Sequence, residues 1–164
     1  MPAPPLTPLG IAHTALSVVA IVSALFCLIR CGAILPARGA GRVYVGATAL
    51  TAATALGIFK HGSFGAAHAL AVATLAVLAF GLLTARLSLF GRLNRVVQTA
   101  SFSATLLFHA IPGVTEALTR LPFGSPVFAS SQAPQFKVIY AVLVLLFVVG
   151  LAFQLHRLGG RRGA

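Results

Sequence analysis

Residues 138–155 read VIYAVLVLLFVVGLAFQL, eighteen consecutive positions without a charged side chain. At 1.5 Å per residue a helix of that length reaches across nearly all of the roughly 30 Å hydrocarbon layer of a bilayer. In lipid such a segment is stable as a helix, because each backbone N–H and C=O must find its partner within the segment. Working outward, four more uncharged stretches precede it, over 9–29, 43–59, 62–85 and 96–115. Each is about 17 to 24 residues long, the length of a spanning helix. The pattern predicts an all-α fold, a polytopic transmembrane helix bundle of about five spanning helices. One helical domain over 9–156 is flanked by an irregular Pro-rich tail over 1–8 and a basic tail over 157–164.

Composition agrees. Hydrophobic residues make up 59% of the 164-residue chain and charged residues 8%, whereas a water-soluble domain is about a quarter charged. The formal charge of +11 arises from twelve Lys and Arg set against one acid, Glu116. In a soluble protein that excess would suggest nucleic acid. Here the basic residues sit between apolar stretches, where they serve topology and attraction to anionic headgroups, so no nucleic-acid partner is expected. The first 29 residues carry no side-chain charge, unlike the basic start of a cleavable signal peptide, so the first helix is expected to be retained. Cys27 and Cys31, one helical turn apart, read as small packing residues rather than a disulfide.

Orientation follows from the basic residues at alternate ends of the spans, because positively charged loops resist translocation. Arg30, Arg38, Arg42, Arg86, Arg92, Arg95, Arg157, Arg161 and Arg162 collect on one side, against Lys60, Arg120 and Lys137 on the other. The N-terminus is therefore expected outside and the C-terminus in the cytoplasm. Lys60 and His61 alone separate the second and third stretches, predicting a tight helical hairpin. Ala49, Ala53 and Gly57, and likewise Gly65, Ala69 and Ala73, recur at every fourth position, the spacing by which small residues let two helices approach. The fourth stretch is polar for a lipid-facing helix and is placed towards the bundle interior. The segment over 116–137 is the one long outer loop, with Glu116 and Arg120 spaced to pair on a helical turn before Pro122.

The residues with most chemical potential are histidines. In this topology His13, His61, His68 and His109 lie towards the outer side and His156 towards the inner. Gln98, Ser101, Thr105, His109 and Glu116 form one stripe on the fourth helix, and His13, Ser17, Ala20, Ala24, Cys27 and Cys31 one on the first. If these stripes face each other or the third helix, His13, His68 and His109 converge. Imidazole suits haem iron and transition metals, so one reading is a b-type haem with His68 and His109 as axial pair, or a metal held by His13, His68 and His109. The other is that these histidines hydrogen-bond neighbouring helices and bind nothing. Hydrolase, phosphate-loop, paired-Cys zinc and zinc-protease motifs are absent from the sequence, as are the mid-membrane carboxylates of ion-coupled carriers.

Gly41, Arg42, Val43, Tyr44, Val45 and Gly46, followed by the Thr- and Ala-rich second helix, the hairpin and the third helix, resemble the bacterial membrane family known as domain of unknown function 2306. The resemblance covers about residues 10 to 112. That family typically has a His-Arg pair before its Gly-Arg/Lys-x-Tyr segment and a His-Arg-Arg-Trp-Met-like run before its fourth helix; here Ala37, Arg38 and the Gly91 to Arg95 run stand in those places. His13 is similar to a histidine often found in its first helix. The resemblance implies fold and location only. Histidines on several helices also resemble four-helix di-haem cytochromes, without their paired histidines at both faces.

The Arg-heavy, Lys-poor composition points to a GC-rich bacterial genome and hence to an inner-membrane protein. The leading functional expectation is a non-enzymatic membrane or assembly-partner protein, with a membrane-protein partner or a second copy of itself. A haem- or metal-binding redox protein comes second and a small-molecule facilitator third.

Overall fold

A computed structural model describes residues 7–59 and 63–160, the side chains of the last two excepted. They form five α-helices, α1 (Pro8–Cys31), α2 (Gly39–Leu56), α3 (Ala66–Leu87), α4 (Asn94–Arg120) and α5 (Gln135–Gly160), with a short 3-10 turn at Gly91–Leu93 and no strand among the described residues. Lys60 and His61, read as the hairpin turn, lie outside them, as do Arg161 and Arg162.

Local chemistry sets the helix ends. Thr7 caps α1, its hydroxyl accepting the Gly10 N–H at 3.1 Å with Pro8 in the first turn, where a missing N–H costs nothing. The same helix stops at Gly32, whose left-handed φ of +73° lets its N–H bond back to the Leu28 carbonyl. Between α3 and α4 the Asn94 amide staples the corner, donating to the Thr84 carbonyl and accepting the Phe90 N–H. The helix of the fourth stretch runs past its expected end at 115, so Glu116 and Arg120 sit in the last turn of α4 and not in a loop.

Each of α1 to α4 packs on the next, and α4 returns onto α1, closing a four-helix ring; α5 lies along α4. Contacts fix the directions. Tyr44 and then Thr48 on α2 meet Thr105 and then His109 on α4, so these two run parallel. Thr115 meets Tyr140 and Ser103 meets Gln154, so α5 runs antiparallel to α4. His13, near the start of α1, meets Thr51 and Thr54 near the end of α2. The N-terminal ends of α1, α3 and α5 and the C-terminal ends of α2 and α4 therefore share one end of the bundle.

Three helices are long and apolar enough to cross a membrane: Pro8–Cys31, Ala66–Leu87 and Gln135–Leu158. The other two, α2 and α4, carry the polar residues, and those residues point inward: Tyr44, Thr48 and Thr51 on α2 and Thr99, Ser101, Ser103, Thr105 and His109 on α4 are buried. Burial against one another gives most of these hydroxyls partners in place of the water they lose.

The small-residue rows pack differently from expectation. Ala53 and Gly57 of α2 and Gly65 and Ala69 of α3 are exposed and Ala49 and Ala73 half-buried, whereas Ala52 of α2 and Ala71 and Thr74 of α3 are buried. With small side chains abundant all round both helices, the hydroxyl-bearing face of α2 claims the interior and leaves Ala53 and Gly57 outward, while Ala49 packs at the edge of the core. Close approach occurs between α3 and α4, where a Cβ on Gly81 would lie 3.0 Å from Ser101 Cβ and 3.4 Å from the Phe102 ring.

Candidate functional site: the polar layer between α1, α2 and α4

The inward stripes of α1 and α4 meet α2 in three successive tiers. Deepest, the fully buried Tyr44 hydroxyl donates to the Phe102 carbonyl at 3.1 Å and lies 2.6 Å from Thr105 Oγ1. One turn along, His109 bridges two helices, with Nε2 3.2 Å from Thr48 Oγ1 and Nδ1 3.3 Å from Ser17 Oγ. A neutral imidazole has one donor and one acceptor nitrogen, and a hydroxyl can play either role, so both contacts are satisfiable at once. A further turn along α1, His13 Nδ1 donates to the Thr51 carbonyl at 3.0 Å and lies 3.1 Å from Thr54 Oγ1.

His68 belongs to a different environment. Its ring lies between Phe59 and Phe64, at centroid distances of 4.6 and 5.1 Å, and Nδ1 accepts the Gly65 N–H at 3.1 Å in the first turn of α3. Accepting at Nδ1 puts the proton of the neutral ring on Nε2. His68 is 4% exposed and its Nε2 has no hydrogen-bond partner; Thr51 Oγ1 is the other such buried atom among the described residues.

The three histidines thus share one end of the bundle without meeting as a metal-binding group. Among the described residues no group of three or more His, Cys, Asp or Glu is placed to hold a metal ion. His109 turns its nitrogens to two hydroxyls, and His68 accepts a backbone N–H at the nitrogen that a metal-ligating histidine normally uses as a donor to a carbonyl or carboxylate. Glu116 and Arg120 form an ion pair one turn apart at the end of α4. His156 is exposed near the opposite end, on α5. Both cysteines are free thiols, Cys27 buried against the core and Cys31 accepting from Arg38 Nη1 at 3.8 Å.

Sequence reasoning identified the stripes but not their partners. Thr48, Thr51 and Thr54 were legible only as part of a Thr-rich helix, and Tyr44 only through the family resemblance. Gln154 was passed over although it is the one amide within the 138–155 stretch, and that isolation was the available signal. It is buried, its Nε2 donating to Ser103 Oγ at 3.1 Å and to the Gly150 carbonyl at 3.3 Å.

The fold and this layer define an all-helical protein with three helices able to cross a membrane and a polar seam inside. Comparison of the chain with protein-family models, with curated proteins and with solved structures found no match.

Proposed function

We propose that the chain is a five-span bacterial inner-membrane protein, N-terminus outside and C-terminus in the cytoplasm, that acts without catalysis as a partner in a membrane assembly. One observation carries the reading. The imidazole and hydroxyl groups of α1, α2 and α4 are largely spent on one another, which locks these helices together. Burying the seams of α2 and α4 inside the ring is also what lets these two less apolar helices cross. The outward face of α5 supplies the contact surface: Val138, Val142, Leu145, Val149 and Phe153 recur at spacings of three and four and are 49 to 67% exposed. The Gly-Arg-Val-Tyr resemblance supports the same fold and location.

Two measurements test it. A reporter active only in the cytoplasm should be active when fused after Arg162 and inactive near Ser125, as the nine-to-three basic asymmetry requires; the reverse would overturn the orientation. Protein purified from native membranes in mild detergent should carry a second polypeptide at fixed stoichiometry, or a second copy of itself, that Leu145→Arg removes. A monomer with lipid alone would overturn the partner role.

A second reading is a haem or metal site on the outer side, supported by His68 and His109 both being buried at the same end of the bundle; it requires His68 to give up the Gly65 N–H so that the ring proton can leave Nε2. In that case His68→Ala or His109→Ala should abolish the visible absorption or bound metal of the purified protein, and His156→Ala should not. A colourless, metal-free protein would end it.

A further inference from the structure

Two adjoining clefts lie between α1 and α5, the second lined also by Leu106, Leu107 and Ala110 of α4, and Gln154 lines both. One, of about 480 Å³, opens at the end of the bundle where α1 and α5 terminate, and is lined by Arg30, Gly32, Gln154 and Arg157. The other, of about 350 Å³, is an apolar groove running back along the bundle among Ile21, Leu25, Leu146, Phe147 and Gly150. The pair has a charged head and an apolar body. From this geometry we infer that it is a binding site for one anionic phospholipid, with the phosphate between Arg30 and Arg157 and an acyl chain in the groove.

Charge argues for an anion from outside the chain. The only acidic side chain, Glu116, is bound to Arg120 on another helix end, and neither Arg30 nor Arg157 has a carboxylate partner among the described residues. Arg157 is held in place: its guanidinium lies 4.9 Å from the centre of the Phe153 ring, and its side chain crosses Gly32, where an added Cβ would come within 3.4 Å of Nη1. Arg30 reaches the same cleft from the last turn of α1. The carbonyl ends of α1 and α5 have the wrong sign for an anion, so the guanidiniums must supply the attraction.

Length argues for a lipid rather than a soluble phosphate. The groove extends along α5 from Gln154 to Leu143, about 16 Å at 1.5 Å per residue. That is roughly the depth of one leaflet of a 30 Å hydrocarbon core. It begins at the arginine cleft, where a headgroup sits, and ends near mid-membrane, where an acyl chain ends. Gly150 lines the groove and has nothing within 4 Å of an added Cβ. The inference rests on α1 and α5 lying in the membrane and not on the orientation or partner proposed above.

The test uses the full chain in neutral detergent, titrated with phosphatidylglycerol, phosphatidylcholine or inorganic phosphate, with thermal stability and native mass spectrometry as readouts. Phosphatidylglycerol should raise the melting temperature and survive as a single adduct, whereas the other two should do neither. Arg30→Gln and Arg157→Gln should each weaken phosphatidylglycerol binding about fivefold, and the pair about 25-fold, from the attraction of one surface arginine for an anionic lipid. Gly150→Leu, whose Cβ meets no other atom within 4 Å, should abolish the adduct by filling the groove. Arg95→Gln, on a different helix, should leave binding intact. Equal stabilisation by phosphatidylcholine would overturn the charged head, and equal stabilisation by phosphate would overturn the lipid. Unchanged lipid retention in both the double arginine variant and Gly150→Leu would overturn the site. Because Arg30 and Arg157 are exposed, their variants should fold; should they not, the phosphatidylglycerol preference of the wild-type adduct decides.

Discussion

His109→Leu separates a structural seam from a cofactor site. The substitution keeps the side-chain size close and removes two contacts, at 3.2 Å to Thr48 and 3.3 Å to Ser17. Interhelical hydrogen bonds of this kind in membranes average about 0.6 kcal/mol and rarely exceed about 1.7, and both distances are at the long end. The two abandoned hydroxyls are not stranded, since each lies on a helix and can turn to the carbonyl one turn before it, Tyr44 for Thr48 and His13 for Ser17. The expected loss is therefore about 1 kcal/mol, and at most about 2. Reversible unfolding in mixed micelles by an anionic detergent measures it. A double-mutant cycle with Thr48→Val, and another with Ser17→Ala, should each return a coupling of about 0.5 kcal/mol. A loss above about 4 kcal/mol, or disappearance of a bound chromophore or metal, would show that His109 holds more than two hydroxyls. Zero loss with zero coupling to either partner would show that the three side chains do not meet.

Three further substitutions probe the packing. Gly41→Ala places a Cβ on the carbonyl of Leu35, and because that atom is backbone the α1–α2 connection must move; a loss of about 3 kcal/mol, the upper range for overpacking, is expected in the same unfolding assay. Tyr44→Phe deletes a 2.6 Å contact to Thr105 and a 3.1 Å bond to the Phe102 carbonyl, which keeps the Thr105 hydroxyl at 2.9 Å. It should cost about 1 to 2 kcal/mol, and no measurable change would mean that α2 and α4 do not meet there. Ala53→Leu lies on the outward face of α2 and should change stability by less than about 0.5 kcal/mol; a larger loss would restore that face to a helix interface.

Hydropathy and period alone determined the helical, membrane-associated class and the inward stripes of α1 and α4. Each is a property of one helix: a segment either has a polar face or does not, and lipid admits few answers when it does. Ala20, Ala24 and Cys27 on α1, and Ser101, Thr105 and His109 on α4, are buried as those stripes require. Tertiary structure alone decided what the stripes meet. On α2, Thr48 and Thr51 compete with Ala49, Ala53 and Gly57 for the interior, and sequence does not rank them, because a threonine can satisfy its hydroxyl on its own helix and an alanine is at home in lipid or protein. The choice falls to the hydroxyl face once His109 and Thr105 on α4 offer partners. His68 lies at the same end of the bundle as His13 and His109, and its contacts with Phe59 and Phe64 depend on how the chain enters α3. The cleft bounded by Arg30 and Arg157 joins residues from the two ends of the chain, a juxtaposition that exists only after α5 has folded back along α4 to lie beside α1.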